Sequence, residues 1–496
     1  FSVDNVLWEK YIKYVKKLGL YEYEYKYLHE FQYTGVARYN IDQSANIASE
    51  KFNFQNYAAI AYAKTGRSFF HLLHYLGEEK FNHIMKELFN QWKYKHPYPE
   101  DVRNVFEDRC DKNLEWFFEG ALQSTDKMDY KICRVRKNKA LIKNCRNLEA
   151  PFPVQGIKDD KAVFSEWNEG FSGKKWIELP DTDFDRIAID KERNTLETFR
   201  KNNYYKTSGL FKKVEPLELQ FLGVLNDPDN TQIGYLPITG WNNYNKFMLG
   251  IGFHNGLFPA KKFEYQLYPM YAFGNNDVSG LGHIRFNFLS SSSVIRMWHF
   301  GISVLQYAYD NEQGSNFQKI EGKLQVKFRN HPYNADLKRS LAYRTILASA
   351  IDEINLGKTP DLKSFHEIKY AHFMKRSINP YSFKMTARAG EDFGKIWLDA
   401  YYKISYYKGK GLKIDGFAGF FLWSSTNLDS EYAFHLSGIA GYQDYLYDKQ
   451  HFGRFEYMND PGRNTYLSNQ FTKNQGGFVL YSPVGITDEW LTSLNL

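Results

Sequence analysis

From about residue 237 the chain alternates. In Phe263, Tyr265, Leu267, Pro269, Tyr271 and Phe273 one parity is apolar, while Lys262, Glu264, Gln266 and Tyr268 fill the other. Ile284, Phe286 and Phe288 stand in the same way against His283, Arg285 and Asn287. Ile320, Gly322, Leu324, Val326 and Phe328 oppose Lys319, Glu321, Lys323, Gln325 and Lys327. The scheme recurs in Phe383, Met385, Ala387 and Ala389 against Lys384, Thr386 and Arg388, and in Leu398, Ala400, Tyr402, Ile404 and Tyr406 against Asp399, Lys403 and Ser405. A period of two sends neighbouring side chains to opposite faces of a strand. The segments run to about nine to thirteen residues, the reach of a tilted strand crossing a bilayer's hydrocarbon, and the spacing predicts about ten to fourteen of them. Turn residues at 274–277 and 408–411 and a long polar stretch at 444–475 separate strands.

The first 125 or so residues carry a different period and are expected to be helical. Phe81, Ile84, Met85, Leu88, Phe89 and Trp92 step by three and four, which predicts one apolar stripe on a helix whose predecessor ends at Gly77. Pro99 opens the next helix, with Glu100 and Asp101 in the first turn where the dipole favours them, followed by Val102, Val105 and Phe106. From about 128 to 235 short apolar runs at 130–135, 140–143, 162–166, 176–179 and 186–189 are broken by turn chemistry. They predict a small antiparallel β-sandwich followed by a connecting segment at 200–213.

Composition narrows this picture. The 496 residues carry 64 Lys plus Arg against 57 Asp plus Glu, a net +7, which is too mild to nominate a nucleic acid partner. Charged residues at 24% and hydrophobic residues at 43% exclude wholesale disorder. With a mean hydropathy of −0.56 and no long apolar run, a helical membrane protein is excluded, whereas a membrane β-barrel, whose apolar residues alternate, is not. Aromatics reach 18%. Alternation alone fits a soluble sandwich equally well. Long uniform strands, small and aromatic residues on the apolar parity, and Tyr or Phe near strand ends point instead to an outer-membrane barrel.

Candidate chemistry is sparse. Cys110, Cys133 and Cys145 are too few for a disulfide scaffold, and a Cys133–Cys145 bridge across a hairpin with Asn138 at its tip requires a register adjustment. No HExxH, glycine-rich phosphate loop or Gly-x-Ser-x-Gly elbow occurs. His71 and His74 share a helix face without a third ligand placed by spacing, and His366 and His372 lie too far apart on one strand to share an ion. The string Trp167-Asn168-Glu169-Gly170-Phe171 imitates a zinc-ligand segment but sits among strands.

The helical region carries a resemblance. The run 56–66, with Tyr62-Ala63-Lys64-Thr65-Gly66, resembles the Tyr-x-Lys-Gly segment of gluzincin zinc metallopeptidases of the aminopeptidase N type. The stretch 75–81 is similar to that family's Leu-Gly-x-x-x-Phe helix. Likewise 92–101, with Lys95-His96-Pro97-Tyr98-Pro99-Glu100-Asp101, and Leu114-Glu115-Trp116-Phe117-Phe118 resemble the helices that follow. The likeness covers about 50–120, and 150–154 with 200–203 resemble the domain that follows in Bacteroidetes-type members. It implies that Tyr62 is the catalytic phenol that stabilises the oxyanion of the tetrahedral intermediate. It also implies peptide-bond hydrolysis by zinc-activated water, with zinc as cofactor and a peptide as substrate. Thr65 stands where the family has glycine, and the zinc-binding half has no counterpart, so the zinc site is expected outside this chain, which alone is expected to be inactive. A buried helix tyrosine is the alternative reading of Tyr62.

Together these readings predict a multidomain α+β chain. A helical gluzincin-type subdomain (1–127) is followed by a β-sandwich with its connecting segment (128–236) and an antiparallel transmembrane β-barrel (237–496). The expected partners are outer-membrane lipid of a Gram-negative bacterium, a peptide substrate if the protein is active, and other outer-membrane proteins. The competing function is a non-enzymatic barrel whose degenerate peptidase-like domain binds partners or shapes a pore.

Overall fold

The structure is a computed structural model that describes residues 25–136, 138–223, 230–242, 244–256, 258–308, 316–330, 336–349, 362–407, 409–436, 444–448 and 484–496. The chain divides into two compact units. One contains Phe1–Ile233 with Gly256–Ala260, the other Gly234–Asn255 with Lys261–Leu496.

In the first unit the helix Glu78–Trp92 follows Gly77, whose φ of 87° is open to glycine and closed to most other residues. The helix Pro99–Arg109 begins on a reciprocal cap, in which the Asp101 side chain accepts from the Tyr98 backbone N–H at 2.8 Å. Two small antiparallel sheets follow. β1 (Tyr130–Arg136), β2 (Lys139–Asn144) and β5 (Lys174–Glu178) form the first. β3 (Phe152–Lys158), β4 (Lys161–Asn168), β6 (Arg186–Ile189) and β7 (Tyr204–Lys206) form the second, in the order β4-β3-β6-β7. One core joins helices and sheets: Leu72, Ile84, Phe106 and Phe117 cluster with Ile142, Phe152 and Ile187. Each fully buried side chain of this size contributes about 1.5 to 3 kcal/mol.

The predicted stripe on Glu78–Trp92 is only half used. Ile84 is buried, but Phe89 is 67% exposed and Met85 lies beside it at the surface. The Cys133–Cys145 bridge is absent, and all three cysteines are free. The β1–β2 ladder shifts register between Ile132 and Arg134, so the irregularity takes Cys133 out of the ladder rather than bringing it to Cys145.

The second unit, from Gly234 onward, holds most of one antiparallel sheet of 13 strands. Its strands are β8 (Leu217–Phe221), β9 (Thr231–Asn242), β10 (Lys246–His254), β11 (Phe263–Ala272), β12 (Asp277–Leu289), β13 (Ile295–Ala308) and β14 (Asn316–Phe328). They continue with β15 (Leu337–Ser349), β16 (Leu362–Met374), β17 (Tyr381–Ala389), β18 (Phe393–Tyr407), β19 (Lys410–Ser424) and β22 (Trp490–Asn495), while β20 (Phe434–His435) and β21 (Ile486–Thr487) pair separately. Neighbours in sequence are neighbours in the sheet from β8 to β19, and β22 pairs with the far side of β19.

The expected α+β chain ending in a closed transmembrane barrel is corrected on both counts. Strands account for 49% of the described residues and helices for 20%, so the described structure is mostly β. Among the described residues β8 and β22 form opposite edges of the sheet, which is not closed. The physical reason is that alternation fixes the face each side chain takes. Closure depends on first and last strands meeting, with shear and tilt in agreement, and periodicity contains no term for that.

Candidate functional site

Tyr62 lies in a π-helical segment, Tyr57–Lys64, that runs directly into the helix Thr65–Leu76. Such widened turns recur where a side chain has to be re-aimed. Tyr62 is 62% exposed, so it is not the buried helix tyrosine of the alternative reading. Its hydroxyl is 3.4 Å from that of Tyr57, and the two rings meet edge to face at 5.5 Å. That hydrogen bond and the neighbouring phenol hold the Tyr62 hydroxyl above its ordinary pKa, in the neutral donor form.

The opposite face of the same helices is buried and polar. Lys64, Arg67, Ser68, His71 and Tyr75 recur at three- and four-residue spacing, and every one is buried. Lys64 Nζ donates to Ser124 O at 3.0 Å, and Arg67 Nη2 to Arg193 O at 2.8 Å. His71 Nε2 is 2.8 Å from Pro151 O, and the Tyr75 hydroxyl donates to Glu169 Oε1 at 2.6 Å. Burial lowers the pKa of Lys64 to about 8 and that of His71 to about 4. A second buried knot ties the helix Tyr25–Ala37 to the sheets: Arg200 pairs with Glu30 at 2.9 Å and with Asp190 at 2.6 Å. Sequence reading missed this polar stripe because polar residues at helical spacing ordinarily mark a solvated face.

The histidine candidates do not converge. His71 is committed to Pro151 and stacks between Trp116 and Trp167, while His74 packs its ring on Phe70. His366 Nδ1 is 2.9 Å from the Tyr343 hydroxyl, and His372 stacks on Phe383. Glu169 of the zinc-like string is the acceptor of Tyr75. Among the described residues no group of three or more His, Cys, Asp or Glu side chains could hold a metal ion, so these residues do not fit the zinc implied by the gluzincin likeness.

The large sheet carries its chemistry in register. One row reads Phe263, Phe286, Phe300, Leu324, Tyr343, Ile368, Ala387, Ile396, Phe420 and Trp490 across consecutive strand pairs from β11 to β22. The row one residue along, on the other face, reads Glu264, Arg285, Gly301, Lys323, Arg344, Glu367, Arg388 and Lys395. The apolar row is the exposed one: Leu324 is 42% and Ile368 53% exposed. In the charged row Glu264, Glu367, Arg388 and Lys395 are buried, Arg285 and Arg344 are half-buried, and Lys323 is exposed. Arg285 pairs with Glu264, while Glu367 lies between Arg344 (2.9 Å) and Arg388 (2.7 Å).

The segment 444–448 lies against this polar face. Asp448 pairs with Arg344 and, at 3.1 Å, with Lys319, whose Nζ also donates to Leu446 O at 2.7 Å. Arg388 Nη1 donates to the Tyr445 hydroxyl at 2.7 Å, and Tyr447 stacks on Phe317 at 4.0 Å. Aromatic and basic side chains gather at the opposite end of these strands, where Arg339 lies over Phe328 and Arg376 over Tyr381.

No helix among the described residues is long and apolar enough to cross a membrane. No protein-family profile matches the chain, and no curated protein matches it. Among solved structures, the translocation pore of the P pilus usher aligns over 59% of this chain and 76% of its own, at 9% identity and a TM-score of 0.15. A likeness at that level carries no argument.

Proposed function

We propose that this chain is an outer-membrane protein of a Gram-negative bacterium whose large antiparallel sheet rests in the bilayer with its apolar rows toward lipid. The observation that carries the reading is the pair of adjacent rows, one from Phe263 to Trp490 apolar and mostly exposed, the other from Glu264 to Lys395 charged and tied by ion pairs on the opposite face. At a strand spacing of about 4.8 Å the apolar row is roughly 40 Å long, and a second apolar row runs beside it through Phe288, Trp298, Val326, Leu341, Met385 and Leu398. In water such a face far exceeds the few hundred Å² that soluble proteins leave exposed. A soluble sandwich would turn these rows into its core. Here the ion pairs gather on the other face, the arrangement expected when the solvent of the apolar face is hydrocarbon. The Arg339 and Arg376 contacts with Phe328 and Tyr381 at the strand ends suit a headgroup level, where aromatic rings and long cations both sit well.

Single cysteines test this. At Leu324 and Val326 they should react with a lipid-soluble maleimide in liposomes, and at Lys323 and Gln325 with a membrane-impermeant one. Resistance of the first pair to the lipid-soluble probe, in a chain that stays in solution without detergent, would sink the reading.

A second reading concerns the helical region, where the exposed Tyr62 phenol favours a peptidase-like role. A neutral phenol facing solvent can donate to a developing oxyanion, which a core tyrosine cannot. On this reading the chain is part of a membrane-anchored, aminopeptidase-like protein and Tyr62 contributes one hydrogen bond to the transition state. No step through zinc is derived, since the described residues do not fit the ion.

A further inference from the structure

The polar face of the large sheet already holds one anion, the carboxylate of Asp448, between Arg344, Lys319 and, at 3.8 Å, Arg388. Beside it lie four lysines with a different status. Lys323 faces Arg344 in register on β14–β15, and Lys327 follows on the same parity of β14. Lys369 on β16 stands between Ala342 and Thr386, and Lys384 on β17 faces Ala371 and Asp399. Among the described residues none of the four makes an ion pair, the register position of Asp399 notwithstanding, whereas Arg344, Arg388, Lys319 and Lys363 all do.

The floor between them is made of small side chains. Lys327 is opposite Ser340, Ser340 opposite Ala371, and Ala342 opposite Lys369. Rows two residues apart are separated by roughly 7 Å and adjacent strands by about 4.8 Å. By these spacings the Cα atoms of Lys323 and Lys369 stand roughly 12 Å apart, those of Lys327 and Lys384 roughly 14 Å, and those of Lys323 and Lys384 roughly 20 Å, so their long stems can reach toward one extended anion above this floor, at whose edge Lys384 lies over the Phe373 ring. Unpaired like charges on one face repel one another, and an anion bridging several of them removes that cost.

We propose that the polar face of β14–β17 is a binding site for a soluble multivalent anion of phosphate or carboxylate chemistry, held by Lys323, Lys327, Lys369 and Lys384 next to the place where Asp448 docks. The proposal builds on the membrane reading, which leaves this face to water while lipid covers the other. Its test is independent of that reading. In detergent micelles the full chain should bind inorganic tripolyphosphate saturably by titration calorimetry, with an affinity that falls as salt rises. The double substitution Lys323→Gln/Lys369→Gln should weaken binding by about tenfold or more, and Lys327→Gln/Lys384→Gln should do the same. Circular dichroism and the melting profile establish that each variant is folded.

Absence of tripolyphosphate binding, or binding that neither double variant weakens, overturns the proposal. It is equally overturned if phosphatidylglycerol in mixed micelles displaces tripolyphosphate at lower concentration, because the lysines would then serve a lipid headgroup. Cysteine labelling that fails at Leu324 and Val326 while lysine-dependent tripolyphosphate binding persists would remove the membrane reading and leave the anion site standing.

Discussion

Arg388 grips Glu367 with two nitrogens on one oxygen, Nε at 3.0 Å and Nη2 at 2.7 Å from Oε2, while Arg344 spans both oxygens, Nε at 2.9 Å from Oε1 and Nη2 at 3.0 Å from Oε2. Both guanidinium groups and the carboxylate are withdrawn from water, so their desolvation is offset only while all three are present. Removing the carboxylate alone leaves Arg344 with Glu321 and Asp448 but Arg388 with only the Tyr445 hydroxyl and, at 3.8 Å, Asp448. Glu367→Ala should therefore destabilise the sheet by about 3 kcal/mol, and the double change Glu367→Met/Arg388→Leu, which leaves Arg344 on Glu321 and Asp448, by much less. Urea unfolding in detergent measures both. Equal losses would mean that the knot contributes only volume.

His71 makes acid stability predictable. Its folded pKa is lowered to about 4, by burial first, against an ordinary value of 6.5. Between those two values the unfolded chain binds the proton and the folded chain does not. Stability from this residue is thus complete above about pH 6.5 and is lost as pH falls toward 4, with a total near 3 kcal/mol. In His71→Phe that increment of pH dependence should vanish, although the variant starts lower because Pro151 O loses its donor. Denaturant midpoints of both proteins across this range check the sign. A difference between them that stays constant with pH would refute it.

What the sequence made legible follows from which interactions are local. Alternation placed Leu324 and Lys323 on opposite faces, and Gly77 with Pro99 marked the helix boundaries, because those choices are made within a few residues. The stripe through Met85 and Phe89 promised more core than the fold supplies, since period alone does not say how wide a neighbouring surface will be. Lys64, Arg67 and His71 were unreadable as interior residues. Their partners are carbonyls of Ser124, Arg193 and Pro151, dozens of positions away and silent in any side-chain pattern. The open edges β8 and β22 were hidden for the same reason.

Tyr62→Phe separates the two readings of that residue. The side chain is exposed and touches Tyr57 through one long hydroxyl contact and an edge-to-face ring contact that phenylalanine keeps, so the substitution should change the unfolding free energy by no more than about 0.5 kcal/mol. If the gluzincin likeness carries activity, any preparation that cleaves an aminoacyl reporter should lose about 10²-fold or more in kcat with KM nearly unchanged. A large loss of stability would return Tyr62 to a structural role, and an unchanged kcat in an active preparation would remove it from the chemistry.

The apolar face of β14 supplies a graded test of its solvent. Leu324 is well inside the strand and Phe328 at its end. At the Phe328 level the face already tolerates a cation, since Arg339 lies 5.9 Å from that ring and its Nη2 donates to Arg329 O at 2.7 Å. If lipid covers this face, Leu324→Arg should cost about 2 to 4 kcal/mol and Phe328→Arg about 0 to 1, because the penalty for a guanidinium falls with distance from the bilayer midplane. If a protein partner covers it instead, the penalty would follow local packing and bear no relation to position along the strand. Folding titrations in phosphatidylcholine liposomes of two acyl-chain lengths distinguish these outcomes. A lipid-facing Leu324→Arg should become more costly in the thicker bilayer, whereas a cost that ignores thickness would assign this face to a partner protein.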